Sequence, residues 1–503
     1  MKASNDLHAL IHSMSKNEKG FFVKFASQHG KQRNHIRLFQ AINAQERYDR
    51  AALCKKFAGE KFLKQIHVAQ HYLYHLILKS LRHYHEKNYV ELELYSLLAD
   101  TFILEIRGMK EGAGKLLKKA KKIAATHYQY PILLEILKQY VTSVVGSKSP
   151  NVLGETQDIY REIFEITQML EEEYTFRSLN HSILLCYRKD RQLASKQYSE
   201  VLRDISNHPL LTSETEPASF YAKYLKFNIR CIEARIYGDR EIAHENYKEI
   251  LQIWEQHPQM IKAAPHLFKI HISNFLGNAI LLGNFDQVEF YMNKIDQVPA
   301  RNLREKVESF QNLTYLKLLY YLNLNYLEDG RQFIAKMEPD LDQYDRHLNP
   351  ARALVIYYNI LMVFFLLEDF DGTISWLNKI LHQGKAGPRQ DIKIFAHILE
   401  FIIHYELGHD LMLESLLKNA FRSVAKQIKT TQYEQTILTN FKRLLRSNSS
   451  EEKHLIYIEF REALKHFAAL NQKLTGIDEI IIWLSARINR ESLRNIFASQ
   501  LKT

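Results

Sequence analysis

Cysteine is scarce in this chain of 503 residues. Cys54, Cys186 and Cys231 are odd in number, far apart and in no spaced motif, which argues against a disulfide framework and a cysteine metal cage. Glycine and proline number only 17 and 10, which fits long helices joined by short turns. The longest apolar run, residues 353–367, is interrupted by Asn359 and is too short to cross a bilayer, and the opening Met1-Lys2-Ala3-Ser4 has no secretory apolar region. A cytoplasmic protein with no membrane contact is expected. No dinucleotide fingerprint, nucleophile elbow or paired-carboxylate motif is present. Gly108 to Lys115 fails as a phosphate loop, because Leu116 follows the lysine and a helix, not a strand, precedes the segment. His67, His71 and His75 share a helical face with no carboxylate or cysteine to complete a metal site, and His404 and His409 lack the zinc-helix spacing. The expectation is a protein that is not an enzyme and holds no cofactor or metal.

What the chain does contain is a recurrence. Leu282-Gly283-Asn284-Phe285-Asp286-Gln287-Val288 follows an apolar helix, precedes Tyr291, Met292 and Ile295 at helical spacing, and is closed by Pro299. Similar turns recur at Arg107-Gly108-Met109, Arg188-Lys189-Asp190, Tyr237-Gly238-Asp239, Leu324-Asn325-Tyr326, Glu368-Asp369 and Leu407-Gly408-His409. The markers 189, 238, 283, 324, 368 and 408 are 49, 45, 41, 44 and 40 residues apart, and the interval from 108 to 189 has room for a further turn at Gly146. Such a period predicts stacked helical hairpins.

Gly-Asn-Phe-Asp-x-Val, with the small or apolar residue two turns on and the later proline, resembles the second half of a tetratricopeptide repeat over roughly residues 90–425. The resemblance implies an all-α solenoid of about eight hairpins, longer than the usual repeat, whose first helices line a concave groove. Ser15 to Phe22 and Ile481 to Ile488 are also similar to segments of Bacteroidetes helical-repeat proteins to which no activity attaches. Domains are expected at 1–88 (a basic helical cap), 89–425 (the solenoid) and 426–503 (capping helices). Carrying over the family's groove positions gives Asn228, Arg235, Ser273, Gln311, Thr314, Tyr321, Tyr358 and Tyr405, a set of hydroxyls, amides and tyrosines suited to a peptide backbone.

Charge is unevenly placed. Residues 1–130 hold 23 Lys and Arg against 11 Asp and Glu, a net of +12, whereas the remainder holds 45 against 46. Lys115, Lys118, Lys119 and Lys122 follow i, i+3, i+4, i+7 and form one basic face, either solvated or set against an anionic partner. In the N-terminal region, helices are expected near 4–13, 16–28, 34–43, 48–58 and 62–86, with Ser15 and Glu18 as a capping box. The last pair forms a helix–turn–helix, a geometry shared by DNA readers and by plain hairpins. The leading expectation is therefore a scaffold that binds a protein or peptide. The alternative is a nucleic-acid-associated regulator that uses the basic N-terminal 130 residues. Oligomeric state is not legible.

Overall fold

The computed structural model describes residues 3–28, 34–146, 150–189, 196–382, 389–425, 432–447, 449–469 and 475–501. Over them the chain is all-α and repeat-like, with twenty-six α-helices, two short 3-10 turns and no strand. No helix among the described residues is long and apolar enough to cross a membrane. Asp190 and Ala194 of one marker, and the links at 147–149 and 383–388, lie outside the described residues.

The recurring marker is one backbone device. Gly108, Gly238, Gly283 and Gly408 all have positive φ, between 69° and 85°, and Asn325 and Glu368 take the same place at 56° and 57°. After each of these six residues, the next amide donates to the carbonyl five positions back: Met109 to Leu104, Asp239 to Ala234, Asn284 to Ala279, Tyr326 to Tyr321, Asp369 to Phe364 and His409 to His404, all at 2.8–3.0 Å. This is the Schellman closure, which satisfies the last carbonyls of a helix and reverses the chain. Asp239 and Asp369 then cap the following helices by accepting from Ile242 N and Gly372 N.

The chain divides into two compact units, Met1–His271 with Ala300–Leu303, and Ile272–Pro299 with Arg304–Thr503. This division falls within the helix Pro265–Leu281, away from the positions 88/89 and 425/426 suggested by sequence.

In the first unit, helices Ala3–Ser13, Lys16–Gln28, Asn34–Asn43, Arg50–Lys56 and Ile66–His85 share a core of their own that includes Leu7, Phe22, Ile42, Leu73 and Ile77. The capping box forms as read: Ser15 N donates to Glu18 Oε2 at 2.6 Å and Glu18 N to Ser15 Oγ at 3.3 Å. A second core joins Val90–Ile106, Lys110–Thr126, Tyr130–Val145 and the start of Val152–Lys189. That last helix runs 38 residues unbroken, about 57 Å at 1.5 Å per residue, between the turns read at Gly146 and Lys189. Phe220–Tyr237 and Arg240–Gln256 form the next hairpin, packed around the buried Trp254, whose Nε1 donates to His271 Nδ1 at 2.6 Å. Burial lowers His271 to about 4, so its ring is a neutral acceptor for that bond.

In the second unit, Pro350–Leu366 pairs with Phe370–Leu381, Gln390–Glu406 with Asp410–Ala425, and Gln432–Arg446 with Ser450–Ala469. Helices Ile477–Asn489 and Leu493–Gln500 follow. The chain turns between these two helices at Arg490, which takes φ 57°. One apolar core runs through this unit from Val307 to Ile496.

Candidate interaction surfaces

Neighbouring hairpins are tied together by polar contacts about one repeat apart. In the first unit, Ser219 Oγ donates to Glu173 Oε2 (3.1 Å), Asn228 Nδ2 to Asn180 Oδ1 (2.8 Å), and Arg235 Nη2 to Tyr187 OH (2.6 Å). The partners on Val152–Lys189 step by seven residues, and those on Phe220–Tyr237 advance in the same direction, so the two helices run parallel. The guanidinium of Arg177, held by Glu173 at 2.7 Å, also lies 5.0 Å over the ring of Tyr221. In the second unit, Lys379 meets Glu338 at 2.9 Å and Arg352 meets Asn312.

This seam absorbs much of the set that sequence placed in a groove. Asn228 and Arg235 belong to it. Gln311 is 2% exposed: its Nε2 donates to Asn349 O and its Oε1 accepts from Asn349 N, and Asn349 in turn caps Pro350–Leu366. Thr314 is also 2% exposed. Gln311 and Thr314 therefore cannot line an open surface. Counting back from the turn selects the right helix but, at these positions, a side that meets a neighbouring helix, the preceding one for Asn228 and Arg235 and the following one for Gln311. Ser273 is half-buried, and the half-buried Tyr321 packs its ring 5.9 Å from Phe333.

Tyr358 and Tyr405 require a second correction. Both meet the chain's own C-terminal helices. Tyr358 OH donates to Glu479, and Tyr405 OH pairs with Tyr457 OH at 3.0 Å. Helix Ile477–Asn489 is apolar on nearly every side and is buried accordingly, with Ile480, Trp483 and Leu484 at 0% exposure. Trp483 Nε1 donates to Glu406 Oε1 at 2.7 Å, Arg487 reaches Glu406 at 3.1 Å, and the rings of Tyr405, Phe441 and Tyr457 surround the indole at 5.8–6.3 Å. Burial pushes the Glu479 carboxyl up and the Tyr358 hydroxyl up as well, which disfavours the charged form of each. The C-terminal helices thus pack against Pro350–Leu366 and Gln390–Glu406 and engage two of the eight expected groove residues.

The basic face is open. Lys115, Lys118, Lys119 and Lys122 are all exposed. Lys119 pairs with Glu93 at 3.3 Å, while Lys115, Lys118 and Lys122 have no ion pair among the described residues. His67, His71 and His75 are exposed on Ile66–His85, and no group of three or more metal-ligating side chains is assembled among the described residues.

Sequence reading missed the apolar face of Val90–Ile106. Leu94, Leu97, Leu98 and Thr101 enter the core, yet Tyr95, Phe102 and Ile106 stand 59%, 59% and 71% exposed. On Val152–Lys189, Leu153, Tyr160 and Phe164 are exposed as well. The available signal was Val-Glu-Leu-Glu-Leu-Tyr-Ser-Leu-Leu-Ala-Asp-Thr-Phe-Ile-Leu-Glu-Ile, which has apolar residues on more than one side. An open cavity of about 640 Å³ lies where this helix meets Ile66–His85, with His75, Leu78, Lys79, Arg82, Tyr89 and Leu92 on its walls. Compared with protein-family models, with curated proteins and with solved structures, the chain matches none of them.

Proposed function

We propose that the chain is a non-enzymatic scaffold that binds a protein or peptide, its hairpins stacked as a solenoid of about eight tetratricopeptide-like units between helical caps. The observation that carries this reading is the large apolar side chains left exposed along Val90–Ile106 and Val152–Lys189, on a chain with ample interior to bury them. The C-terminal helices engage Tyr358 and Tyr405, two of the eight side chains first assigned to the partner, so we assign the partner surface to the first unit. The test is affinity capture from the native cell extract, divided and treated with or without nuclease, using the wild type and a Phe164→Glu variant. A protein retained equally after nuclease by the wild type and lost by the variant supports the scaffold. Retention of nothing by the wild type refutes it.

A second reading is favoured by one observation, the unpaired Lys115, Lys118 and Lys122 on the exposed face of Lys110–Thr126. Here the partner is a nucleic acid held by its phosphates. The triple change of these lysines to Glu then abolishes binding of a single-stranded oligonucleotide, and wild-type affinity falls steeply with salt, with a log–log slope of about −0.7 per phosphate contacted. Salt-insensitive binding, or none, removes this reading.

A further inference from the structure

Leu92, Tyr95, Ala99, Phe102 and Ile106 are spaced 3, 4, 3 and 4 along Val90–Ile106. That is the a/d spacing of a coiled-coil seam, which brings five side chains into line over nearly four turns of helix. Tyr95, Ala99, Phe102 and Ile106 are exposed. They are not a stray edge of the core, because the core is served by a different side of the same helix, through Leu94, Leu97, Leu98 and Thr101. A helix apolar on two sides is suited to being covered on both.

The seam leads into the cavity. Its first member, Leu92, is a wall of that cavity, and Leu78 and Tyr89 extend the apolar surface there. The cavity lies between two separate hydrophobic cores, one ending at Ile77 and the other beginning at Leu94, and each core has its own side chains to fill it. The cations of the cavity are Lys79 and Arg82. Both are exposed, and neither has a carboxylate partner among the described residues. The nearby carboxylates are engaged elsewhere: Glu18 with His85 at 2.6 Å, and Glu86 with His83 at 3.5 Å.

We propose that the seam and the cavity at its head together receive an amphipathic α-helix of a partner protein, apolar along one side and acidic at the end that reaches Lys79 and Arg82. This rests on the scaffold reading and specifies its partner. The 3.5-residue spacing selects a helix over an extended peptide, whose side chains alternate with period two. The unpaired cations select an acidic end, since a carboxylate there gains charge-assisted hydrogen bonds. A second copy of this chain is the poorer match. Val90–Ile106 carries Glu91, Glu93, Asp100 and Glu105 with no Lys or Arg, so pairing it with itself sets carboxylates against carboxylates.

The probes are synthetic peptides of about three heptads with Leu at a and d and Gln or Ala elsewhere. Two carry a Glu cluster, at one end or the other, and two controls carry Lys in its place. Fluorescence anisotropy is read against the full chain. One of the Glu-ended peptides binds saturably and the Lys-ended peptides bind more weakly. Phe102→Glu or Ile106→Glu weakens binding at least about tenfold, as truncation of a hot spot does. Lys79→Glu with Arg82→Glu weakens the Glu-ended peptide and not the Lys-ended ones. All four sites are exposed, so thermal melting is unchanged. Absence of saturable binding by either Glu-ended peptide up to about 100 µM overturns the proposal, as does binding indifferent to Phe102→Glu. So does a wild-type dimer in sedimentation that Phe102→Glu dissociates, which assigns the seam to a second copy. Oligonucleotide binding lost on Lys79→Glu with Arg82→Glu reassigns the cations to phosphate and overturns it equally. A nuclease-resistant protein still captured by the Phe102→Glu variant leaves the scaffold standing and removes the seam alone.

Discussion

Replacing Gly476 with Ala tests how the C-terminal helix is seated. Gly476 precedes Ile477–Asn489 with φ 89°, and a Cβ added there would lie 2.5 Å from Cγ of Phe395 and closer still to Cδ2 and Cε2. Phe395 is 2% exposed and belongs to the core of this unit, so its ring cannot swing into solvent. Two costs add. A left-handed conformation costs a non-glycine residue about 1–2 kcal/mol. Overpacking against a fixed ring costs about 1–3 kcal/mol. The sum is about 2–5 kcal/mol. Gly408→Ala is the internal control: it lies in the same unit at φ 69° with nothing within 4 Å of the added Cβ. It bears the conformational cost alone, about 1–2 kcal/mol. Hydrogen exchange of the 477–489 amides and urea unfolding followed by tryptophan fluorescence read both variants. Adding Phe395→Leu to Gly476→Ala recovers part of the loss, whereas adding it to Gly408→Ala does not. If the two glycine variants lose stability equally, within about 0.5 kcal/mol, the close seating of Phe395 on Gly476 is refuted.

Two further outcomes follow from geometry already given. Gln311→Ala leaves the backbone groups of Asn349 without their buried partners and costs about 1–3 kcal/mol, read as a lower melting temperature; an unchanged melt with weakened partner binding would restore Gln311 to an accessible groove. Glu479 has a folded-state pKa raised by burial above the ordinary 4.5, so its contribution to stability is fully present below that value and is lost as pH rises through the raised one. Glu479→Gln therefore removes a downward slope of stability with rising pH and retains the hydrogen bond from Tyr358. Asp478, also raised by burial, keeps part of the slope, and the difference between wild type and variant isolates Glu479; identical pH profiles would show that the carboxyl ionises freely.

The turns were the most legible part of the chain, because the Schellman closure requires a residue tolerant of positive φ at one position. Glycine marks it at 108, 238, 283 and 408. It was legible even at Glu368, where no glycine stands, because Asp369 follows as a cap. The capping box at Ser15 and Glu18 was legible for the same reason, since both partners lie within one turn. The groove was not legible. Whether Tyr358 faces solvent depends on Glu479, 121 residues away, and no local pattern reports that distance. The run Ile480-Ile481-Ile482-Trp483-Leu484 did carry a warning, because a helix apolar on every side belongs in an interior and not at an exposed end. The unbroken length of Val152–Lys189 was not legible, because a period count marks the turns and says nothing of how the chain runs between them.

The late position of Ile477–Asn489 in the chain sets an order of events during synthesis. Its contacts with Tyr358 and Glu406 close loops of 121 and 77 residues, and Arg494 reaches the carbonyl of Asn325 across 169. The hairpins before it can form turn by turn as they leave the ribosome, since their contacts are local. The interior they share cannot close until residue 489 has emerged, and until then Phe395, Phe401 and Phe441 lack the helix that covers them. A ribosome stalled between 450 and 475 would thus hold a nearly complete unit with an apolar trough facing solvent, a form open to chaperones and to aggregation.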